Sequence, residues 1–397
     1  MKIAYFTDTF LPRVDGVTFT ILGHSQILSS RGHKIRIYAP SYSKRAKTES
    51  IKNIIIERHP SIPLPTYKDV HITFPKTLSM YKSLKNFNPD IIHFHTPGTV
   101  GLLGILLAKV LKKPLIGTYH TFFSETLMYA SPKELLKLLN IKLPDFHASK
   151  KEGENSFAKE FTSRVVNKIY NQSDLIIAPS LPVKEILKKQ GIKKNIEVLP
   201  SGIDTTTFFP NRNKKKEKII LHVGRIGYEK NIDVVIKVFK RVLKEIPNAK
   251  LIIAGDGPAL AELKGLCRKL GIDQNVKFKG VVDRKDLPEL YRKASVFVTA
   301  STMETLGLVV LEAMASGLPI VAVDKYALPW LVKHGENGFL VKPFDETKIS
   351  EYLVEILKNK ILCKNMGIKS RKLVTAYDTK KVGVKMEKIY KNLISKK

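Results

Sequence analysis

The fold of this chain is decided by the stretch Ser301-Thr-Met-Glu304-Thr-Leu-Gly307-Leu-Val-Val-Leu-Glu312-Ala-Met-Ala-Ser-Gly317-Leu-Pro319-Ile-Val-Ala322. A short apolar run comes before it, and small hydroxylated residues lead from that run into a glycine and a second, longer apolar run. Glycine and proline at such places are typical of helix ends. The stretch therefore predicts a strand, a loop, a helix and a further strand in succession.

Two carboxylates of this stretch lie eight positions apart. If the helix begins near Gly307, Glu304 lies at its N-terminus and Glu312 lies about 12 Å further along, at ~1.5 Å per residue. The amides of Gly307, Leu308 and Val309 then lack partners within the helix and favour a phosphate. Carboxylates repel phosphate, so both should face hydroxyl groups. The arrangement predicts a nucleotide sugar as ligand; the alternative is a surface helix with two acids.

The spacing of Glu304 and Glu312 resembles the E-x7-E motif of the retaining glycosyltransferases of family 4. This resemblance implies the GT-B fold, an α/β fold of two facing Rossmann-like, doubly wound domains with the donor in the cleft between them. It also implies that Glu304 holds the sugar hydroxyls and Glu312 the ribose. The reaction is expected to need no cofactor and no metal, since fixed positive groups would replace a divalent ion.

The length of 397 residues predicts two domains, at ~100–200 residues per domain. Pro, Ser, Gly and Asp between positions 200 and 204 indicate a turn that leaves the first domain, and a polar, lysine-rich run follows at 211–218. We assign the acceptor-binding domain to residues 1–204 and the nucleotide-sugar-binding domain to 205–375. Residues 376–397 are expected to form a C-terminal helix that packs back on the first domain, as in GT-B proteins.

The first domain alternates between strand and helix patterns, which predicts a parallel sheet with ligands at the carboxyl ends of its strands. Gly16 follows the first strand, where glycine would let the backbone approach a phosphate; a simple turn is the alternative. His93 and His95 alternate on one strand, but no third metal ligand accompanies them at a recognisable spacing. His120 ends a later strand and is better placed for a cleft. It matches the family's T-[YF]-H-T element, which implies a histidine near the transferred sugar.

The second domain begins with a strand followed by Gly224-Arg225-Ile-Gly-Tyr-Glu-Lys230-Asn231. This run resembles the family's G-R-x-x-x-E-K-N signature. Both cations suit a diphosphate, because the Arg guanidinium can donate to two oxygens at once and the Lys ammonium acts as a compact positive charge. A glycine-rich strand exit at Gly255 and backbone groups near Val282 are expected to contact the donor. The predicted catalytic residues are His120, Arg225, Lys230 and Glu304. The predicted donor-binding residues are Gly16, Gly224, Arg225, Lys230, Gly255, Val282, Glu304, Leu308, Val309 and Glu312.

The net charge is +32, from 68 Lys and Arg against 36 Asp and Glu, and the two halves of the chain share it about equally. Such a charge attracts nucleic acid or an anionic membrane surface, while a general lysine bias accounts for it as well. No basic module with interleaved aromatics is present, so we expect no nucleic-acid partner. Residues 122–170 combine apolar clusters with lysines, which indicates an interfacial amphipathic helix or a core-facing helix. Resemblance to diacylglycerol glucosyltransferases and phosphatidylinositol mannosyltransferases favours the membrane.

Cys267 and Cys363 have no metal or disulfide spacing, which indicates a reducing compartment. The N-terminus has the pattern of a buried strand and not that of a signal peptide. The apolar run at 99–111 is too short to span a bilayer. We expect a cytoplasmic protein that is peripheral on the cytoplasmic face of the cell membrane.

The resemblance implies retaining transfer of a hexose, glucose from UDP-glucose, to a membrane lipid such as 1,2-diacylglycerol. Retention in hydrolases uses a carboxylate nucleophile paired with an acid, and the sequence offers no such nucleophile. The hypothesis is a front-face displacement with the leaving phosphate as base. Three alternatives stay open: a mannosyl- or other hexosyltransferase acting on phosphatidylinositol, one acting on a soluble sugar, and a sugar-nucleotide epimerase of the same fold.

Overall fold

The computed structural model describes residues 1–13, 15–51, 53–64, 67–121, 163–210 and 217–396. It divides the chain into two compact units, Met1–Ser201 with Val382–Lys397 and Gly202–Lys381. Most of the basic amphipathic segment expected at 122–170 lies outside the described residues. In the part of the chain that the structure describes, no helix combines the length and the apolar character needed to cross a membrane.

The first unit is built on a sheet that has eight strands among its described residues. They are β1 (Lys2–Phe6), β2 (Lys34–Pro40), β3 (Lys47–Ile51), β4 (Ile54–His59), β7 (Ile91–Phe94), β8 (Leu115–Thr118), β9 (Leu175–Ala178) and β10 (Asn195–Val198), while β5 (Ser61–Leu64) and β6 (Tyr67–Thr73) form a separate antiparallel hairpin. The strand order is β10-β9-β8-β7-β1-β2-β4-β3. The pairs from β10 to β4 are parallel, and the edge strand β3 is antiparallel to β4.

Helices connect these strands. Those with both ends among the described residues are α1 (Gly16–Ser30), α2 (Thr77–Phe87), α3 (Thr99–Val110) and α4 (Leu181–Lys189). Residues 163–170 are helical as well. Two of the helices begin at side-chain caps: Asp15 accepts a hydrogen bond from the amide of Thr18, and Ser180 accepts one from that of Val183. Strands β1, β7, β8 and β9 are buried almost throughout, because helices cover both faces of a parallel sheet.

The second unit contains a parallel sheet with six strands among its described residues. They are β11 (Ile219–Val223), β12 (Lys250–Ala254), β13 (Val276–Phe278), β14 (Val296–Thr299), β15 (Ile320–Val323) and β16 (Gly338–Val341), in the order β13-β12-β11-β14-β15-β16. The helices are α5 (Ile232–Glu245), α6 (Leu260–Leu270), α7 (Leu287–Lys293), α8 (Leu308–Ala315), α9 (Leu328–Leu331), α10 (Glu346–Lys358), α11 (Lys360–Val374) and α12 (Thr379–Ile394). The predicted succession of strand, loop, helix and strand corresponds to β14, α8 and β15.

Helix α12 leaves the second unit and enters the first. Its residues from Val382 onward belong to the first unit, and Met386 and Tyr390 are fully buried in the core that β1, β2, β7 and β8 form there. Helices α10 and α11 stay in the second unit, where Leu353 and Met366 are buried in its core. The first unit therefore takes part of its core from the far end of the chain.

The strand order reverses once in each unit. In the second unit the chain moves outward from β11 through β12 to β13, and then from β14 in the opposite direction through β15 to β16. In the first unit the order likewise reverses between β1 and β7. Ligands of doubly wound sheets bind outside the carboxyl ends of the strands at such reversals. The residues after β11 and β14, and those after β1 and β7, are therefore the first to consider.

Candidate active site

An ion pair between Lys230 and Glu304 occupies the strand-order reversal of the second unit. Lys230 ends a short 3₁₀ turn, Tyr228–Lys230, that follows β11, and Glu304 lies on the loop between β14 and α8. The ammonium Nζ of Lys230 lies 2.6 Å from Oε1 of Glu304, and the two side chains are 20% and 14% exposed. Asn231 joins the same two loops, because its side-chain amide donates to the carbonyl of Ala300 at 3.0 Å.

The ion pair keeps the carboxylate of Glu304 charged. Burial by itself would raise the pKa of Glu304, but the ammonium of Lys230, which also donates a hydrogen bond to the carboxylate, outweighs it and holds that pKa below its usual value. His222, on β11, is buried, and burial lowers its pKa to about 4, so its ring is neutral at pH 7. The loops after β11 and β14 thus present one cation and one anion, and β11 carries an uncharged imidazole.

Glycines let the backbone of neighbouring strands meet closely at this end of the sheet. Gly224 donates its amide to the carbonyl of Ala254, and Gly255 donates to that of Gly280. Gly255 has φ +140°, and a Cβ atom there would lie 1.8 Å from the carbonyl oxygen of Gly224. Only glycine fits at position 255.

Arg225 lies next to Gly224, at the carboxyl end of β11. Its Nη2 lies 3.4 Å from Oε1 of Glu229, and its side chain is 36% exposed. Arg225 and Lys230 are therefore each held by a different carboxylate, on the same loop after β11. Two cations at one strand end suit an anionic ligand.

Helix α8 begins at Leu308, directly after Gly307, whose φ of +84° suits glycine. The amides of Val310 and Leu311 donate back to the carbonyl of Gly307. Those of Leu308 and Val309 lie in the first turn, where a helix offers no backbone acceptor. The loop that carries Glu304 leads directly into this turn.

The second carboxylate of the stretch, Glu312, is 2% exposed and lies inside the second unit. Its Oε1 accepts from Nη1 of Arg284 at 2.7 Å, and its Oε2 accepts from the hydroxyl of Tyr291 at 2.9 Å. Burial raises the pKa of Glu312, and the guanidinium of Arg284 opposes that rise. Val282 lies on the same loop as Arg284 and packs against the core. The structure thus joins Glu304 to Lys230, and Glu312 to Arg284 and Tyr291.

In the first unit, Gly16 is the first residue of α1. A Cβ atom at Gly16 would have no described residue within 4 Å apart from its neighbours along the chain and the backbone of its own helix, so packing among the described residues does not demand glycine there. The hydroxyl of Thr20, one turn later, donates to the carbonyl of Gly16 at 2.7 Å. Helix α1 follows β1, and in a parallel sheet the loop after a strand begins at the strand's carboxyl end.

His120 follows β8 and belongs to a row of three buried or half-buried imidazoles. Its Nε2 lies 3.0 Å from Nδ1 of His95, and the ring of His95 stacks on that of His93 at 4.1 Å between centroids. His93 in turn lies 2.7 Å from the hydroxyl of Tyr390 and 2.6 Å from that of Thr118. Burial lowers the pKa of His120 to about 3, so its ring is neutral and serves as a hydrogen-bonding group. Within the described ranges, no group of three or more His, Cys, Asp or Glu residues is arranged to hold a metal ion.

Comparison with known proteins identifies the family. Residues 204–373 match the model of glycosyl transferases group 1, and residues 14–207 match that of glycosyltransferase family 4. An alpha-monoglucosyldiacylglycerol synthase of Streptococcus pneumoniae is 32% identical over 336 residues, which are 81% of this chain and 71% of that protein. The chain belongs to glycosyltransferase family 4. A protein of the same name from Acholeplasma laidlawii is 26% identical over 100% of this chain and 98% of its own length.

Solved structures agree with the family at the level of the fold. The sucrose-phosphate synthase of Thermosynechococcus elongatus has a TM-score of 0.77 at 19% identity, over 100% of both chains. The Anabaena protein HepE in complex with UDP-glucose has a TM-score of 0.73 at 17% identity, over 99% of this chain and 100% of that one. The predicted GT-B fold of two Rossmann-like domains is confirmed. The predicted enzyme class, a nucleotide-sugar-dependent hexosyltransferase, is confirmed by the family and its members.

Several polar residues of this glycosyltransferase were not predicted from its sequence. Asp8, after β1, accepts hydrogen bonds from the amides of Gly98, Val100 and Gly101, and so caps α3. Its signal is visible in retrospect, because an acid directly after a buried first strand lies at the carboxyl end of the sheet. Arg284, Tyr291, His222 and Tyr390 had no comparable signal, because their partners lie far away in the sequence.

Proposed function

We propose that this glycosyltransferase transfers glucose from UDP-glucose to a membrane lipid, 1,2-diacylglycerol, with retention at the anomeric carbon and without a metal ion. The observation that carries the proposal is the 32% identity, over 81% of the chain, to a protein named alpha-monoglucosyldiacylglycerol synthase. A second protein of that name aligns over the full length of the chain. Sequence similarity of this extent supports a hexosyl transfer to lipid, and the donor nucleotide is part of the proposal.

The ion pair after β11 and β14 is the proposed centre of donor binding. Lys230 has three donor hydrogens and uses one of them on Glu304, so the others are available to the diphosphate. Arg225 and the first-turn amides of Leu308 and Val309 add positive groups that need no reorganisation as charge develops on the leaving phosphate. Glu304 remains ionised and accepts hydrogen bonds from the sugar hydroxyls.

The remaining donor contacts are assigned by chemistry. Gly224 and Gly255 bring bare backbone to the ligand, and backbone groups near Val282 face the base. Glu312 is proposed for the ribose, with Arg284 orienting its carboxylate. From the first unit we propose Gly16 for the phosphate.

His120 is the proposed contact of the first unit to the transferred sugar. A ring with a pKa of about 3 does not donate a proton as an acid near neutral pH. It does form a hydrogen bond to a sugar oxygen. Its expected contribution is orientation of the hexose and not proton transfer.

Retention is proposed to occur by front-face displacement. The bond between the anomeric carbon and the phosphate oxygen breaks, and the acceptor hydroxyl oxygen bonds to the same face of that carbon. The proton of the acceptor hydroxyl passes to the departing phosphate oxygen, so no enzyme nucleophile is needed. Lys230 and Arg225 stabilise the resulting diphosphate.

The acceptor lies in a membrane, and we propose a peripheral enzyme on the cytoplasmic face. The net charge of +32 supports attraction to anionic lipid headgroups. Attraction of this kind is screened by salt. Membrane association should therefore depend on both lipid charge and ionic strength.

The test is transfer of radiolabel from UDP-glucose into the organic phase, with anionic vesicles that contain or lack diacylglycerol. Parallel reactions contain GDP-mannose as donor, or phosphatidylinositol or a soluble sugar as acceptor. We expect label in lipid only with UDP-glucose and diacylglycerol together, and an alpha-specific glucosidase should release it. Transfer that requires GDP-mannose or a soluble sugar would overturn the substrate assignment. Isomerised donor released without any acceptor would identify an epimerase instead.

A further inference from the structure

We propose that His95 is a positioning residue that holds His120 in one tautomer, with the proton on Nδ1 of His120. The proposal concerns a histidine that the transfer reaction as described above does not use. It rests on the proposed function only where it explains why the tautomer matters for sugar binding. The hydrogen bond between the two rings does not depend on the substrate.

The geometry joins the two rings edge to edge. Nδ1 of His95 lies 3.0 Å from Nε2 of His120, the ring centroids are 5.3 Å apart, and the ring planes differ by 23°. This separation and orientation fit two nearly coplanar imidazoles that share one hydrogen. One face of the His95 ring stacks on the ring of His93, with the centroids 4.1 Å apart. The rings of Tyr5 and His95 meet in a T-shaped arrangement, with the centroids 4.6 Å apart. His95 therefore has little freedom to turn away from His120.

Both rings are neutral. His95 is fully buried, and burial, reinforced by the neighbouring histidines, lowers its pKa well below the usual value. Burial also lowers the pKa of His120 to about 3. Each neutral imidazole carries a single N–H. The contact between them can hold one hydrogen, given either by Nδ1 of His95 or by Nε2 of His120.

The other nitrogen of His95 decides between these two arrangements. Nε2 of His95 is buried and has no hydrogen-bond partner among the described residues. If His120 donated, the proton of His95 would lie on that nitrogen, and a buried N–H would have no acceptor. Buried N–H groups without a partner are rarer than buried acceptors without one. His95 therefore donates from Nδ1, and His120 carries its own proton on Nδ1.

The row of rings is anchored at its far end by the C-terminal helix α12. Tyr390 of α12 contacts Nδ1 of His93 through its hydroxyl, which also lies 3.0 Å from the hydroxyl of Tyr5. Thr118, two residues before His120, contacts the other nitrogen of His93. These contacts fix the ring on which His95 stacks. An N–H at Nδ1 of His120 can donate to any sugar oxygen, whereas the other tautomer would present a lone pair there that only a sugar hydroxyl hydrogen could reach.

The test is ¹⁵N NMR of the full chain labelled in its ten histidines. The signals of His120 are assigned by their loss in His120→Asn. Two-bond proton–nitrogen correlations distinguish a protonated from a bare ring nitrogen. We expect the wild-type chain to show a protonated Nδ1 and a bare Nε2 at His120. A protonated Nε2 in the wild type would overturn the proposal, whatever the variants do.

Two variants provide the comparison. His95→Leu removes the donor, and His95→Asn keeps an amide donor near the same position. We expect His120 to leave the Nδ1–H tautomer in H95L, with a fall in kcat of at least about tenfold, because a histidine in the wrong tautomer misplaces its hydrogen bond. H95N should retain both the tautomer and most of the activity.

The outcomes separate this inference from the proposed function. An unchanged His120 spectrum in folded H95L would overturn the role of His95, even if glucose transfer to lipid is observed. A changed spectrum without any glucose transfer in the wild type would refute the proposed substrates and leave the role of His95 standing. Circular dichroism in the far and near ultraviolet reports whether each variant is folded.

Discussion

Replacing Lys230 by methionine removes the cation 2.6 Å from Glu304 and keeps the aliphatic stem. Removing one partner of a fully buried pair costs about 3–5 kcal/mol because the other charge is left without compensation. These side chains keep 20% and 14% of their exposure, so water reaches the remaining carboxylate. We therefore expect a cost of about 2 kcal/mol, between that range and the 0–1 kcal/mol of surface pairs.

The control is Lys237→Met. Lys237 also forms an ion pair, at 2.9 Å from Asp233, but the two side chains are 42% and 43% exposed. Its loss should cost about 0.5 kcal/mol or less. The chain has a single tryptophan, Trp330, in α9 of the second unit, so urea unfolding followed by its fluorescence reports on the unit that contains both pairs.

The difference in the free energy of unfolding between wild type and K230M should become smaller as the pH falls. The pKa of Glu304 in the folded chain lies below its usual value of 4.5, mainly because the Lys230 ammonium overcomes the effect of burial. The pair therefore stabilises the fold fully above pH 4.5 and loses this contribution as the pH falls through the lower, folded pKa. The loss of stability in K230M relative to wild type should be constant near neutral pH and become smaller in acid. A cost equal to that of Lys237→Met, or one that grows in acid, would refute the reasoning.

Three further outcomes follow from the structure. Gly255→Ala should destabilise the second unit by more than about 3 kcal/mol, because the new Cβ would lie 1.8 Å from the carbonyl oxygen of Gly224. Gly265→Ala in α6, where a Cβ has open space, should instead stabilise the unit by up to about 1 kcal/mol. Urea unfolding followed by Trp330 fluorescence measures both changes in stability, and equal changes would contradict the steric explanation. Tyr390→Phe should cost about 1–2 kcal/mol in thermal unfolding, since a buried hydroxyl with two partners is lost, while the same change at the half-exposed Tyr81 should be neutral. Sedimentation with anionic vesicles should fall as salt shortens the Debye length below about 10 Å, and binding that ignores both salt and lipid charge would count against an electrostatic membrane surface.

The alternation of strands and helices and the places where the strands end could be predicted from the sequence. Each depends on local patterns: apolar runs of four or five residues, caps such as Asp15 and Ser180, and glycines after strands. The positions of Arg225, Lys230 and Glu304 after β11 and β14 follow from these patterns, because parallel strands bring their carboxyl ends to one edge. The sequence therefore predicts that the loop after β11 and the loop after β14 meet.

The pairing of individual side chains could not be predicted in the same way. Glu312 is held by Arg284 and Tyr291, and nothing local distinguishes these from the other basic and aromatic residues of the chain. His93 reaches Tyr390 across nearly 300 positions, through a helix that enters the first unit from the second. Such contacts depend on tertiary packing, whereas sequence patterns report mainly on neighbours along the chain.

The central claim is that the Lys230–Glu304 pair lies in the donor site, and calorimetric titration tests it most directly. Wild type, Lys230→Met, Glu304→Gln and the control Lys237→Met are each titrated with UDP and with UDP-glucose. We predict that K230M binds both ligands with a Kd at least about tenfold higher, or 1.4 kcal/mol weaker, because it loses a phosphate contact. E304Q should raise the Kd for UDP-glucose by at least about tenfold and leave the Kd for UDP nearly unchanged, because Glu304 contacts the sugar. Wild-type affinity for both ligands in K230M and E304Q would contradict the account.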